Sequence, residues 1–122
     1  DPVQFTFSGR IDNSNPAWYP DGSLILFSQV LGLGSPSKQL FGMRLADLGE
    51  EEPYSILPAS SLDYIPLMDH VDVSPDGYWL AFDYWYFDLL SDIYMMVFPG
   101  GNLVQLTDHV EKDYDPVWQP QP

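Results

Sequence analysis

One phrase occurs three times in this chain of 122 residues. Its copies begin at Asn15, His70 and Asp115, and they read Asn-Pro-Ala-Trp-Tyr-Pro-Asp-Gly, His-Val-Asp-Val-Ser-Pro-Asp-Gly and Asp-Pro-Val-Trp-Gln-Pro. The two Pro-Asp-Gly turns, at Pro20 and Pro75, lie 55 residues apart. A period of this length predicts a repeat architecture, in which each unit buries its apolar face against a neighbouring unit.

The segments around these turns are typical of strands. They are rich in β-branched and aromatic residues, turn signals separate them, and no segment has a helical period. In each turn, proline presets φ, aspartate bonds the local backbone, and glycine takes the positive φ that closes a hairpin. We expect strands at residues 3–7, 24–27, 39–45, 54–57, 71–74, 79–83, 92–98 and 103–107.

The charge balance excludes several classes of partner. Eighteen acidic residues against four Lys and Arg give a formal net charge of −14. Nucleic acids and anionic membrane surfaces require clustered cations, so we expect neither as a partner. No apolar stretch is long enough to cross a bilayer, so we expect no membrane insertion. The absence of Cys excludes disulfides, thiol nucleophiles and Cys-ligated zinc.

Motifs for catalysis are missing from the sequence. His70 and His109 are the only histidines and lack metal-ligand spacing, and no Gly-x-Ser-x-Gly elbow occurs. The segment from Asp72 to Asp83 is similar to a calcium loop, but Pro75 interrupts it and the repeat accounts for the same residues. The sequence therefore predicts a protein that is not an enzyme, with no cofactor and no metal site.

The repeat resembles the blade of a TolB-type β-propeller, a WD40-like unit of four strands. In that family the unit reads approximately Asp-x-x-Pro-Ala-Trp-Ser-Pro-Asp-Gly, then Ile-Ala-Phe, Asp-Ile-Tyr, a Gly turn and Leu-Thr. The first unit matches at residues 15–22 and 24–27, but it has Gln39-Leu40-Phe41 in place of Asp-Ile-Tyr. The second unit matches at residues 73–77, 80–82, 92–95, 100–101 and 105–107. The resemblance covers nearly the whole chain and implies an all-β fold with two four-stranded antiparallel blades.

The same resemblance divides this single repeat domain, residues 1–122, into four parts. Residues 1–13 and 110–122 are the outer and inner strands of a split blade, residues 14–58 are blade 1, and residues 59–109 are blade 2. Two blades cannot close a ring, since propellers have about four to eight. Three alternatives follow: an excised part of a longer propeller, a six-bladed homo-trimer whose end strands complete each other's blades, or an open pair of sheets with covered edges.

Two sets of residues are candidates for binding. The first lies where the innermost strand of each blade begins, at the predicted channel rim, and could bind a cation or a polar ligand: Asn15, Asp69, His70 and Asp115. Alternatively, these residues cap strand ends. The second set lies in the predicted connection between the second and third strands of blade 2, and forms either a partner interface or blade-to-blade packing: Tyr84, Trp85, Tyr86 and Phe87.

Function follows here only from the resemblance. TolB-type propellers bind protein partners in the bacterial periplasm, so we expect a non-catalytic protein-binding or self-assembly scaffold that is periplasmic or secreted. Its partner is then another protein or copies of the chain itself. The alternative is an excerpt of the gating propeller of a prolyl oligopeptidase-type serine peptidase, whose catalytic domain lies outside these 122 residues.

Overall fold

The computed structural model describes residues 2, 4, 12–30, 38–47, 53–56, 67–87, 90–99, 101, 103–108 and 113–120. These residues form eight strands: β1 (Asn13–Trp18), β2 (Leu24–Val30), β3 (Lys38–Arg44), β4 (Tyr54–Ser55), β5 (Leu67–Val73), β6 (Trp79–Phe87), β7 (Leu90–Val97) and β8 (Leu103–Gln105). Within the described part of the chain, the short 3-10 turn Leu45–Asp47 is the one helical element. None of the described helical residues could therefore form a membrane span.

The strands form two separate four-stranded antiparallel sheets. The first has the order β1-β2-β3-β4 and the second the order β5-β6-β7-β8, so each strand pairs with its neighbour in sequence. This arrangement confirms the predicted all-β fold with two four-stranded units. The predicted outer strand at residues 3–7 lies outside the described residues, apart from Gln4.

Both Pro-Asp-Gly turns have the predicted geometry. Gly22 and Gly77 adopt φ values of 76° and 75°, which a residue with a side chain rarely takes. The carboxylate of Asp21 accepts a hydrogen bond from the amide of Ser23 at 2.8 Å, and Asp76 accepts one from the amide of Tyr78 at 2.9 Å. Each turn therefore places the second strand of its sheet directly against the first.

The aromatic stretch at residues 84–87 is part of a strand. β6 pairs with β7 continuously from Trp79 opposite Val97 to Phe87 opposite Leu90, apart from one irregularity before Phe87. The prediction that these residues lie in a connection is therefore wrong. Aromatic residues favour strands, and here they extend the predicted strand 79–83 by four residues.

One apolar core joins the two sheets, because β5 packs against β1, β2 and β3. Its fully buried members come from both sheets: Leu26, Leu40, Met68, Leu80, Phe82 and Met96. Burial of each such side chain contributes about 1.5–3 kcal/mol to the free energy of unfolding. The core therefore holds the two sheets together as neighbouring blades.

Tyr84 belongs to this core and not to a surface. Its side chain is 5% exposed, and its ring stacks on that of Tyr94 with the centroids 4.7 Å apart. This position favours the packing alternative for Tyr84, because strand alternation turns its side chain toward the blade core. The side chains of Tyr86 and Phe87 lie outside the described residues.

The third copy of the phrase, within residues 113–120, contacts the second sheet without joining it. No described strand pairs with it, so it has no strand ladder of its own. The amide of Asp113 donates to the carbonyl oxygen of Ser91 at 2.9 Å. The amide of Trp118 donates to Oδ2 of Asp72 at 2.7 Å, and its indole Nε1 lies 3.3 Å from the Asp72 carbonyl oxygen. These contacts bring the third phrase beside the first two.

Candidate functional site

Each repeat phrase begins with a residue in the left-handed backbone region. The φ values are 53° for Asn15, 51° for His70 and 55° for Asp115. In the two sheets this residue falls within a register shift, between Ser14 and Ala17 in β1 and between Asp69 and Asp72 in β5. Such bulges re-aim side chains, and Asn, Asp and His tolerate this conformation better than other residues with a side chain.

The three phrases line one groove of about 380 Å³. Residues 15–18 form one part of its wall, residues 70–72 a second and residues 115–117 a third. Prolines, Ala17, Trp18 and two valines make most of the lining apolar, whereas Asp72 and Asp115 contribute carboxylates. The groove thus collects the equivalent segments of three successive repeats, although they are far apart in the chain.

Three of the four rim residues predicted from sequence line this groove: Asn15, His70 and Asp115. The fourth, Asp69, lies behind them and is 6% exposed. Its Oδ1 accepts a hydrogen bond from Asn15 Nδ2 at 2.7 Å, and its Oδ2 pairs with Lys38 Nζ at 2.9 Å. Asp69 therefore fixes the position of Asn15 and joins the two sheets.

The protonation of Asp69 is set by these neighbours. Burial alone would raise the pKa of its carboxyl group, but hydrogen bonds from Asn15, Lys38 and the His70 amide hold the pKa below the ordinary value of 3.8. Asp69 is therefore ionised at neutral pH. This charge is balanced locally by Lys38 and is not offered to the groove.

His70 contacts a carboxylate with each ring nitrogen. Nδ1 lies 2.6 Å from Oδ2 of Asp83, and Nε2 lies 3.3 Å from Oδ1 of Asp115. Asp83 is fully buried, and it also accepts from Trp85 Nε1 at 3.0 Å and from the Asp115 amide at 3.3 Å. Burial raises the pKa of Asp83, although the hydrogen bond from His70 opposes this shift. Asp83 thus anchors both the His70 ring and the third phrase.

The side chains of His70, Asp83 and Asp115 each offer a metal-ligand atom, and these atoms lie within 4.8 Å of one another. Imidazole and carboxylate groups are ligands of divalent cations. The short hydrogen bond between Nδ1 and Asp83 uses two of the atoms that a cation would need. The arrangement is therefore that of a hydrogen-bonded network.

Asp83 and Lys38 are two of the site residues that sequence reasoning missed. Asp83 lies in the middle of an apolar strand, between Phe82 and Tyr84, and directly opposite Asp69 in the ladder. A charged residue at such a position requires hydrogen-bonding partners, so its place in the strand was an available signal. Lys38 carried no such signal, because its pairing with Asp69 joins strands of different sheets.

Two tryptophans contribute to the site in different ways. Trp85 is partly buried, and its indole N–H supports Asp83. Trp18, which was not among the predicted site residues, is 52% exposed and lines the groove. The exposed aromatic surface that the structure describes at this site therefore comes from the first phrase.

Comparison with known proteins finds similarity only among solved structures, because no family model and no curated protein matches the chain. TolB from Acinetobacter baumannii is 18% identical with a TM-score of 0.62, over 84% of this chain and 23% of that one. A structure assigned as TolB from Agrobacterium tumefaciens is 22% identical with a TM-score of 0.55, over 76% of this chain and 32% of that one. A prolyl endopeptidase structure is 13% identical with a TM-score of 0.54, over 80% of this chain and 15% of that one.

These likenesses extend over most of the chain but only part of each relative. The chain spans 23% and 32% of the two TolB structures' lengths. At identities of 18% and 22%, the agreement concerns the path of the backbone. Together with the two four-stranded sheets, it shows that the chain has the fold of TolB-like β-propeller blades.

Proposed function

We propose that this chain is a non-catalytic propeller module that binds a segment of a protein partner in the groove between its three repeat phrases. The observation that carries the proposal is the convergence of Asn15, His70 and Asp115 on that groove, each with a positive φ. A residue held in this conformation costs about 1–3 kcal/mol, and such strain clusters at ligand sites. The likeness to TolB structures supports an extracytoplasmic location in a bacterium as part of the proposal.

The walls of the groove have the character of a protein-binding surface. Trp18 is 52% exposed and Val117 is 82% exposed, and both line the groove. Exposed tryptophan is enriched among the residues that contribute most to binding at interfaces. Prolines at positions 16 and 116 add rigid apolar surface beside them. The groove therefore offers a partner both apolar surface and polar groups.

A peptide library displayed on phage tests this proposal. We expect selected peptides to lose at least about tenfold in affinity on Trp18→Ala, because a buried aromatic contact contributes about 1–4 kcal/mol to binding. Val117→Asn provides a second groove variant, and we expect it to keep the fold because Val117 is 82% exposed. Leu106→Ala is the matched control, since Leu106 is 53% exposed and does not line the groove. Peptides that bind both groove variants as tightly as the native chain would overturn the proposal.

A second candidate role is self-assembly, which the third phrase favours. It packs against the second sheet through Trp118, and no described strand pairs with it. Under this role, strands from another copy pair with it, and three copies supply six blades. Light scattering tests this role: a homo-trimer gives three times the chain mass of 13.9 kDa, and a monomer contradicts it.

The prolyl oligopeptidase-type alternative has one supporting observation, the fold likeness to a prolyl endopeptidase over 15% of that chain. Under this alternative, the propeller would gate access to a separate hydrolase domain. A fluorophosphonate probe applied to the longest natural protein that carries this segment distinguishes the two. Labelling of a serine supports the gating role, and an unlabelled full-length protein supports the non-catalytic module.

A further inference from the structure

We infer that the groove between the repeat phrases binds a cationic side chain, an arginine or a lysine, of a protein partner. This inference rests on the proposed function and specifies the chemistry of the ligand. It follows from the charge of the groove lining, from the placement of Asp115, and from the apolar surface that lines the same groove.

Among the described residues, the groove lining is acidic: it contains Asp72 and Asp115 but no Lys or Arg. The two described cations are engaged elsewhere: Lys38 Nζ lies 2.9 Å from Asp69, and the Arg44 guanidinium lies 5.8 Å from the centre of the Tyr54 ring. A net charge of −14 also attracts cationic ligands at long range.

His70 does not cancel this negative charge. Its Nδ1 lies 2.6 Å from the buried carboxylate of Asp83, so that carboxylate would neutralise any positive charge on the ring. Asp115 approaches the other ring nitrogen with Oδ1 alone, at 3.3 Å. The side chain of Asp115 is 58% exposed, and within the described residues its Oδ2 makes no hydrogen bond or ion pair. That oxygen remains available to a ligand.

Asp115 is also held in place before any ligand arrives. Its amide donates to Asp83 at 3.3 Å, and the phrase that carries it is tied to Asp72 through the Trp118 amide at 2.7 Å. Such preorganisation lowers the entropy cost of binding. A guanidinium bonds a carboxylate through two parallel N–H groups, and an ammonium bonds it as a point charge.

The walls match the rest of a basic side chain. Arginine and lysine carry a stem of three or four methylene groups that packs on apolar surface while the charged end stays in a polar environment. Trp18 and the prolines at positions 16 and 116 supply that surface. The Trp18 ring can also attract the cation through its electron-rich face. An acidic peptide would instead meet like charge at Asp72 and Asp115.

The test uses four blocked peptides, Ala-Ala-Xaa-Ala-Ala, in which Xaa is arginine, lysine, citrulline or glutamate. Citrulline has nearly the shape of arginine without its charge. In nuclear magnetic resonance titrations we expect the arginine and lysine peptides to shift the Trp18 indole and Asp115 amide signals. We expect the citrulline peptide to bind at least about tenfold more weakly, because it lacks the charge-assisted contact. The glutamate peptide should leave the groove signals unchanged.

Three variants locate the effect at Asp115. Asp115→Asn should weaken the arginine peptide by about tenfold, and Asp115→Glu should restore most of the affinity because it keeps the charge. Asp108→Asn is the matched control: it removes one exposed carboxylate outside the groove lining, and it should leave the affinity unchanged. Dispersed amide spectra for all three variants show that the fold is intact.

The outcomes separate this inference from the proposed function. Equal binding of the arginine and citrulline peptides at the groove overturns the cation inference and leaves the groove as a binding site. An arginine peptide that shifts no groove signal also overturns the inference. The proposed function is then decided separately, by the Trp18→Ala variant with displayed peptides.

Discussion

The imidazole of His70 lies between two carboxylates, with Nδ1 2.6 Å from Asp83 and Nε2 3.3 Å from Asp115. A neutral imidazole has one N–H, so the ring donates to both carboxylates only when it carries two protons. Burial raises the pKa of Asp83, and the hydrogen bonds from His70, the Asp115 amide and Trp85 oppose this shift. His70 thus links Asp83 of blade 2 to Asp115 of the third phrase.

Asp83→Ala should lower the free energy of unfolding by about 3 kcal/mol, because three donors lose a buried acceptor. These donors are His70 Nδ1, Trp85 Nε1 and the Asp115 amide. Urea unfolding measures the loss, and Asp108→Asn, an exposed control, should change the value by less than about 0.5 kcal/mol. A loss below about 1 kcal/mol for Asp83→Ala would show that the network is not structural.

The stabilising effect of Asp69 should depend on pH. Its pKa is held below 3.8 in the folded chain, so the folded state binds this proton less tightly than the unfolded state. The stabilisation is therefore complete when the pH is above the pKa that Asp69 has in the unfolded chain. It is lost as the pH falls through the pKa of Asp69 in the folded chain. The difference in unfolding free energy between the native chain and Asp69→Asn should be largest near neutral pH and should shrink below about pH 3.8. A difference that grows on acidification contradicts this assignment.

The two turn glycines should differ in their tolerance of a side chain. Gly22 and Gly77 have nearly the same φ, but a Cβ at Gly22 meets nothing within 4 Å, whereas one at Gly77 would lie 2.7 Å from Cζ of Tyr19. We expect Gly22→Ala to lower the free energy of unfolding by about 1 kcal/mol, because the positive φ is unfavourable for alanine. Gly77→Ala should cost about 3 kcal/mol, since overpacking is added.

A double-mutant cycle on thermal unfolding tests the cause of that difference. In a Tyr19→Ala background, where the phenol ring is gone, the cost of Gly77→Ala should fall toward that of Gly22→Ala. An unchanged cost would mean that the ring contact with Tyr19 is not the reason.

Asp72→Ala should loosen the third phrase without unfolding the blades. The Asp72 carboxylate accepts from the Trp118 amide at 2.7 Å, across 46 positions of the chain. Hydrogen exchange should accelerate at least about tenfold at the Trp118 amide. Without the Asp72 carboxylate, the third phrase can open locally without losing this hydrogen bond, so opening requires less free energy. The Leu26 amide in the core of the first sheet is the internal control and should exchange at its native rate. Unchanged exchange at Trp118 would show that other contacts hold the phrase.

One feature of the site, a shared backbone conformation, could have been predicted from the sequence. The first residues of the three phrases, Asn15, His70 and Asp115, are of the types that best tolerate the left-handed region. Their recurrence at one repeat position therefore predicts a common backbone bend, which the structure contains in each phrase. The bend itself is local, whereas the groove it helps to form needs all three phrases side by side.

The sequence alone determined the repeat, the order of the strands and the two turns, because proline, glycine and alternating apolar residues act over a few neighbouring positions. Only the tertiary structure decided that Tyr84 is buried, that Asp83 holds His70, and that three phrases share a groove. These features join residues far apart in the chain, as between Asn15 and Asp69, 54 positions apart. Such contacts follow from how the two sheets pack, and local patterns do not specify that packing.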